Sequence, residues 1–328
     1  MRIVFMGSSE ASATTLRAIL KNPQLKVVGV VTQPDRPVGR NRALKPCPCK
    51  AYALERKLSP ILTPEKINTP ESVAALRALK PDVIVVVAYG QILRSDILDM
   101  PPLGCINGHF SLLPKFRGAS PVQAAIIAGE HVTGVTIMKM APGMDDGDVL
   151  LQSYEPICID DTGSTLMDRL AILGGVTMAK ALKLMLRGPL PSEAQDHTLA
   201  TFAHKMKKDD GLIDWTAPSK VIERRIRGFD PWPGAFTYLP EKYARRNSTG
   251  RLKILQAEVS AVPAGMERCA PGEICALTAR GPLVKTADSA LLLVVVQPDG
   301  GRSMDGKAFL NGRPLAIGDA LQSTPWNS

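Results

Sequence analysis

The sequence predicts an α/β fold, an open and mostly parallel sheet flanked by helices, followed by a smaller all-β domain. Three observations carry this. Strand-like and helix-like segments alternate through the first half of the 328 residues, as in strand–helix–strand units. The run Asp82-Val-Ile-Val-Val-Val-Ala88 is continuously apolar, the pattern of a strand buried on both faces. Beyond Pro231, short strands separated by turn residues replace the alternation, as in a small barrel or sandwich.

In order, Ile3-Val-Phe-Met-Gly7 is the first strand and leads into a helix ending near Leu20. Val27 to Thr32 is a second strand and 82–88 a third. Cys105-Ile-Asn107, Gly134 to Met138 and Val149 to Gln152 follow as further strands. A helix from about Ser164 to Arg187 has apolar residues at helical spacing, and Gly188-Pro189 stops it. Residues 188–205 carry Pro, Ser, Gln and His and read as a linker, which divides the chain into domains at 1–187 and 206–328. Ser219 to Arg227 reads as an exposed helix with Ser219 as its N-cap. Lys253-Ile-Leu255, Val259-Ser-Ala261, Gly281 to Val284 and Ala290 to Val296 supply the later strands.

Composition narrows the function. A hydrophobic content of 45% supports a sizeable core. No apolar run approaches the roughly 20 residues of a membrane span. Met1 runs directly into a strand with no charged leader, so a cytoplasmic protein is expected. The six cysteines match neither a zinc pattern nor a C-x-x-C pair; Cys47-Pro-Cys49 is the only close pair, and reduced thiols are expected. A net charge of +9 points to an anionic partner such as nucleic acid.

Three motifs are set aside. A dinucleotide fingerprint should follow the first strand, but only Gly7 is present and Ser8-Ser9-Glu10 follows, so no nicotinamide or flavin cofactor is expected. Gly301 to Lys307 approximates a P-loop, but Ala308 stands where Ser or Thr must hold magnesium. Asp145, Asp146 and Asp148 lack EF-hand spacing and lie between Gly143 and Gly147, which favours a turn over a metal site.

The chemistry concentrates in Asn107-Gly-His109-Phe-Ser111-Leu-Leu-Pro114. Alternate side chains of an extended segment share a face, so Asn107, His109 and Ser111 line one wall while Gly108 and Phe110 face away. An amide donor beside an imidazole suits an acyl transfer in which an oxyanion develops. Asp145 is placed to fix the imidazole or collect a proton. A second feature is the basic run from Pro34 to Lys50, in which Arg36, Arg40, Arg42, Lys45 and Lys50 face the single acid Asp35. Its four prolines predict a long loop, and its cations are of the phosphate-contacting kind.

Together these residues resemble the 10-formyltetrahydrofolate-dependent formyltransferases, over nearly the whole chain. The resemblance implies a Rossmann-like first domain and an OB-like second one that offers a positive surface to tRNA. It implies Asn107, His109 and Asp145 as the catalytic trio. It implies a tetrahydrofolate site built from Ser111, Leu112, Leu113 and Pro114, with Gln91, Ile92 and Leu93 in a pterin-binding wall, and no metal. Those features are common to several formyltransferases and leave the acceptor open, an amino sugar nucleotide included. A non-catalytic RNA-binding protein would account for the charge alone. The stretch Thr32 to Arg40, the Gly228-Phe-Asp-Pro231-Trp232-Pro233 junction and the β domain resemble the branch that formylates initiator methionyl-tRNA, which implies Arg36, Arg40, Arg42 and Lys45 as tRNA contacts, and a monomer. The chain departs from the family in having Ser8-Ser9-Glu10-Ala11 after Gly7, where Thr-Pro-x-Phe is usual. Phe110 also stands where a small residue is usual.

Overall fold

The computed structural model describes residues 1–38, 43–243, 249–313 and 315–324. The chain divides into two compact units, the first formed by Met1–Val122, His131–Ile157 and Thr165–His204, the second by the remainder.

The first unit is built on a seven-stranded sheet. Its opening elements are β1 (Arg2–Gly7), α1 (Glu10–Ile19), β2 (Lys26–Val31), β3 (Arg36–Val38), β4 (Ala43–Lys45), α2 (Pro48–Glu55), β5 (Ile61–Leu62), α3 (Pro70–Ala78) and β6 (Val83–Val87). Then come α4 (Ser95–Leu98), β7 (Cys105–His109), β8 (Arg117–Gly118), α5 (Pro121–Ala128), β9 (Val132–Lys139), β10 (Val149–Pro156), α6 (Gly163–Met185) and β11 (Phe202–Ala203); of these, α5 from Gln123 on clusters with the second unit. The sheet order is β10-β9-β7-β6-β1-β2-β5. β1, β2, β5, β6 and β7 run parallel, and β9 and β10 close one side antiparallel. The chain therefore winds outward from β1 in one direction, then outward from β6 in the other. The β1/β6 boundary is a switch point, where loops at the carboxyl ends diverge and leave a crevice.

Local chemistry sets these boundaries. Ser9 caps α1 in a reciprocal capping box with Ser12. The Ser12 hydroxyl also donates to Val87 O at 2.6 Å, tying the start of α1 to the end of β6. Of the unusual Ser8-Ser9-Glu10-Ala11 stretch, Ser9 is thus the cap and Glu10-Ala11 the first residues of α1. Thr69 caps α3, with Pro70 at its first position. One sheet face buries Val4, Met6, Ile84 and Val86 with Leu76 and Leu93. On the other face, α6 covers Gly108 and Phe110: a Cβ added to Gly108 would lie 3.5 Å from Met178, and one added to Gly174 would lie 3.0 Å from the Phe110 ring. The alternation along β7 is therefore as the sequence predicts.

Two expectations in this unit change. The basic run is a hairpin and not a loop, with β3 pairing β4 antiparallel so that Arg36 faces Lys45 and Pro37 faces Leu44. Proline is tolerated because both strands are edges and no ladder bond needs its nitrogen. Residues 188–204, read as a linker, cluster with the first unit. Glu193 bridges Val149, and β11 lies parallel to β8.

The second unit contains α7 (Ser219–Gly228), β12 (Phe236–Tyr238), β13 (Arg251–Ser260), β14 (Ile274–Leu277), β15 (Pro282–Lys285), β16 (Ala290–Pro298), β17 (Met304–Asp305) and α8 (Gly306–Gly312). Its antiparallel sheet runs β12-β13-β16-β15-β14, with β17 also on β16, and curls into an OB-like half-barrel. The core joins Trp215, Ile222 and Ile226 to Leu252, Ile254, Leu293, Val296 and Phe309. The expected strands at 253–255 and 259–261 are one strand, β13, whose register slips around Gln256; a bulge lets a strand bend without ending. Ser219 is not the cap of α7 but its first helical residue. Its N–H is satisfied by Asp288, at 2.8 Å, from the turn before β16, a partner distant in sequence. No helix among the described residues is long and apolar enough to cross a membrane.

Candidate active site

The carboxyl ends of β1, β2 and β6 are joined by polar contacts. Gln33 donates through its backbone to Ser8 Oγ at 3.0 Å and through its side chain to Tyr89 O at 3.1 Å. One strand further out, β7 ends in the suspected chemistry. Asn107 is aligned with Val86 on β6 and Met138 on β9. Its side-chain amide has no hydrogen-bond partner among the described residues, so both of its functions stay available.

His109 is 6% exposed. Its Nε2 lies 2.9 Å from Phe116 O. A carbonyl can only accept, so Nε2 carries a hydrogen and Nδ1 is the nitrogen that faces the site. Nδ1 lies 3.6 Å from Asp145 Oδ2, too long for a hydrogen bond but within ion-pair range when the ring is charged. Asp145 Oδ2 accepts from Gly118 N at 2.8 Å. The imidazole and the carboxylate are thus each anchored by the backbone of one three-residue stretch, Phe116 to Gly118.

Asp145 has φ +49°, the left-handed region, which Asp tolerates better than most side chains. The glycine two residues on is required by close approach, since a Cβ on Gly147 would lie 2.0 Å from Lys139 O. The three acids of this turn do not converge. Asp148 accepts from Ser192 at 3.0 Å, while one Asp146 oxygen is buried without a partner. Among the described residues, no group of three or more His, Cys, Asp or Glu is arranged to hold a metal ion.

The other expected site residues fall into three groups. Ser111 is buried and donates to Lys115 O at 2.6 Å, bracing the turn after β7. Leu113 and Leu93 are buried, and Leu112 and Pro114 half-buried. Gln91 binds chain on both sides of its amide, accepting from Ile67 N at 2.8 Å and donating to Pro64 O at 3.2 Å. Ile92, by contrast, is 82% exposed on the same loop. The Tyr89 hydroxyl is buried and unpartnered, and burial pushes it up to about 12. Arg36 and Lys45 are exposed across the β3–β4 hairpin; Arg40 and Arg42 lie outside the described residues.

Sequence reasoning passed over Gln195, Thr201 and His197. Gln195 is the single buried residue in the exposed run 191–199. A buried polar residue in an otherwise solvated stretch cannot be there for hydrophobic reasons, but its burial is invisible in the sequence. Thr201 Oγ1 accepts from Phe116 N at 2.8 Å, and Thr201 O from Arg117 N at 2.8 Å. His197 Nδ1 lies 3.1 Å from Arg117 Nη2.

Two family descriptions match the chain: formyl transferase over residues 1–182, and the formyl transferase C-terminal domain over residues 205–314. Relatives named methionyl-tRNA formyltransferase include one from Pseudomonas syringae pv. tomato, 43% identical over 323 residues and covering 98% of each chain. Another, from Chloroflexus aggregans, is 46% identical over 313 residues, 95% of this chain and 97% of the relative. Among solved structures, an N-formyltransferase from Helicobacter canadensis in complex with folinic acid and dTDP-3-aminofucose superposes with TM-score 0.61 at 18% identity, over 89% of this chain and 98% of that one. HypX from Aquifex aeolicus in complex with tetrahydrofolic acid superposes with TM-score 0.60 at 18% identity, over 98% of this chain and 50% of that one. At these identities the two structures speak for the fold.

Proposed function

The chain belongs to the formyl transferase family, and we propose that it transfers the formyl group of 10-formyltetrahydrofolate to the α-amino group of methionine on initiator tRNA. The product is formylmethionyl-tRNA for translation initiation. The supporting observation is the arrangement at the end of β7: Asn107 and His109 two residues apart on one face, with Asp145 3.6 Å from the imidazole. Neutral amine nitrogen bonds to the formyl carbon, the bond from that carbon to N10 breaks, one proton leaves the amine and one reaches N10. Asn107 donates to the oxygen on which negative charge develops. His109, held by Phe116, presents Nδ1 for the same charge, and Asp145 balances the ring's charge and relays the proton. Removing one such donor typically costs about 100- to 1000-fold in turnover.

The surroundings suit the donor. Ile92, in the loop that follows β6, gives an exposed apolar surface, which fits a flat ring system. The β3–β4 hairpin suits the acceptor. Arg36 stands directly across from Lys45 and is paired with Glu65 at 3.5 Å; two exposed cations side by side are of the phosphate-contacting kind. In this reading Arg40 and Arg42 also contact the tRNA, and the enzyme acts in the cytoplasm as a monomer.

The test is transfer of labelled formyl from 10-formyltetrahydrofolate to methionine-charged initiator tRNA, with charged elongator tRNA, free methionine and an amino sugar nucleotide as controls. Label on initiator tRNA alone is the expected result. Label on the sugar nucleotide and on no RNA would overturn the acceptor while keeping the chemistry.

A further inference from the structure

Asp145 has an awkward backbone, and something must hold it there. A non-glycine residue at φ +49° lies in the left-handed region, which residues other than glycine adopt only when their surroundings hold them there. Its carboxylate is held by Gly118 N, but its peptide is held by a different residue. Gln195 Nε2 donates to Asp145 O at 2.9 Å and to Gly147 O at 2.7 Å. The two carbonyls flank the turn's central peptides, so one amide group pins both ends.

The orientation of that amide is itself fixed. Gln195 Oε1 accepts from Arg117 Nε at 3.1 Å and from Arg117 Nη2 at 2.7 Å. Guanidinium offers only donors and the two carbonyls only accept, so oxygen must face Arg117 and nitrogen the turn. Bonds to a charged donor are roughly twice as strong as neutral ones. Gln195 is 7% exposed and Arg117 5%, so little water competes. Arg117 lies between Phe116, which accepts from His109, and Gly118, which donates to Asp145. One stretch therefore orients the imidazole through Phe116, the carboxylate through Gly118 and the Asp145 backbone through Arg117 and Gln195.

We propose that Gln195 is a positioning residue for the formyl transfer, acting through Asp145 and oriented by Arg117. The inference rests on the reading of Asp145 as catalytic. Gln195 touches no reacting atom; it sets the backbone from which the carboxylate reaches His109 Nδ1. Misplacement of a reacting group by about 1 Å costs about 100-fold, so loss of the two bonds to the turn should appear in turnover and not in substrate binding.

Two substitutions separate positioning from folding. Gln195→Glu keeps the size and the acceptor for Arg117 but turns an oxygen against the two carbonyls. Gln195→Leu removes every bond. Each is made alone and with Asp145→Asn; kcat, the KM for each substrate and the melting temperature are measured. The expected result is a kcat lower by about 10- to 100-fold in both single variants, with both KM values within about twofold of the parent. Gln195→Glu should melt close to the parent. In the Asp145→Asn background, the same changes should lower kcat by less than about twofold, because a residue acting through another is silent once that one is gone. Near-parental kcat in Gln195→Glu and Gln195→Leu, beside a crippled Asp145→Asn, would overturn the positioning role alone. Equal losses in both backgrounds, or losses that track melting temperature, would also overturn it. Near-parental activity in Asp145→Asn would instead remove the premise and the inference together.

Discussion

At the scale of single residues, β7 shows what alternation can and cannot tell. Gly108 and Phe110 go to the α6 face and Asn107 and His109 to the other, as period-two geometry requires. Ser111 shares their parity but lies past the strand's end, and its hydroxyl is spent on Lys115 O; parity stops being informative where the strand stops. Asn107→Ala and His109→Ala should each lower kcat by about 100- to 1000-fold; Asn107→Ala should leave the melting temperature near the parent's, while His109→Ala, which empties a buried site and strips Phe116 O of its donor, should melt somewhat lower. Stopped assays paired with a thermal melt check this, and near-normal turnover in His109→Ala would remove it from the site. Tyr89 makes a pH prediction. Burial raises its phenol from the ordinary 10.0 to about 12, so the folded state holds this proton more tightly than the unfolded chain. The resulting stability is complete below pH 10 and is lost as pH rises through about 12. Cys49 and Cys105, raised to about 12 by burial, act in the same direction. Tyr89→Phe should therefore make the alkaline loss of stability shallower. At neutral pH it should leave stability unchanged or raised by about 1 kcal/mol or less, because the buried hydroxyl has no partner to lose. Urea melts at pH 7.5, 10 and 11.5 would show either.

At the scale of elements, the long regular pieces were legible and the short irregular ones were not. The runs 3–7, 27–32 and 82–88 and the 164–187 periodicity correspond to β1, β2, β6 and α6, because each carries its own burial pattern. β8 and β11 have two residues each, too few for any period. Their pairing nonetheless builds the site, for it holds the stretch that anchors His109 and Asp145. Gly118 makes this testable. It has φ +114°, and a Cβ there would lie 2.6 Å from Ala203 O. Gly118→Ala should force β11 away from β8 and carry Gly118 N off the Asp145 carboxylate. A displacement of about 1 Å predicts a fall in kcat of about 100-fold, larger than the change in either KM. Steady-state kinetics with far-ultraviolet circular dichroism would decide it, an active Gly118→Ala being the contrary result.

At the scale of the whole molecule, the excess of cations is the property that tRNA meets first. If the cations of the 34–50 run bind phosphates, replacing Arg40 and Arg42 together by Ala should raise the KM for tRNA. It should also flatten the dependence of log(1/KM) on log salt by about 1 for each phosphate that is no longer neutralised, while the KM for the folate stays unchanged. A salt slope identical to the parent's would place the tRNA elsewhere. By itself the sequence determined the succession of the longer strands and helices, and it singled out Asn107, His109 and Asp145 as candidates. These follow from local patterns: apolar runs, helical spacing and a motif whose members lie close together on one strand or one turn. Only the tertiary structure decided that β3 and β4 of the basic run pair, that Asp288 caps α7 and that residues 188–204 join the first unit with Gln195 buried against Asp145. Each of these is a hydrogen bond or a pairing between segments, made because a buried donor or acceptor must find a partner wherever the fold supplies one. That constraint acts in space and leaves no period along the chain.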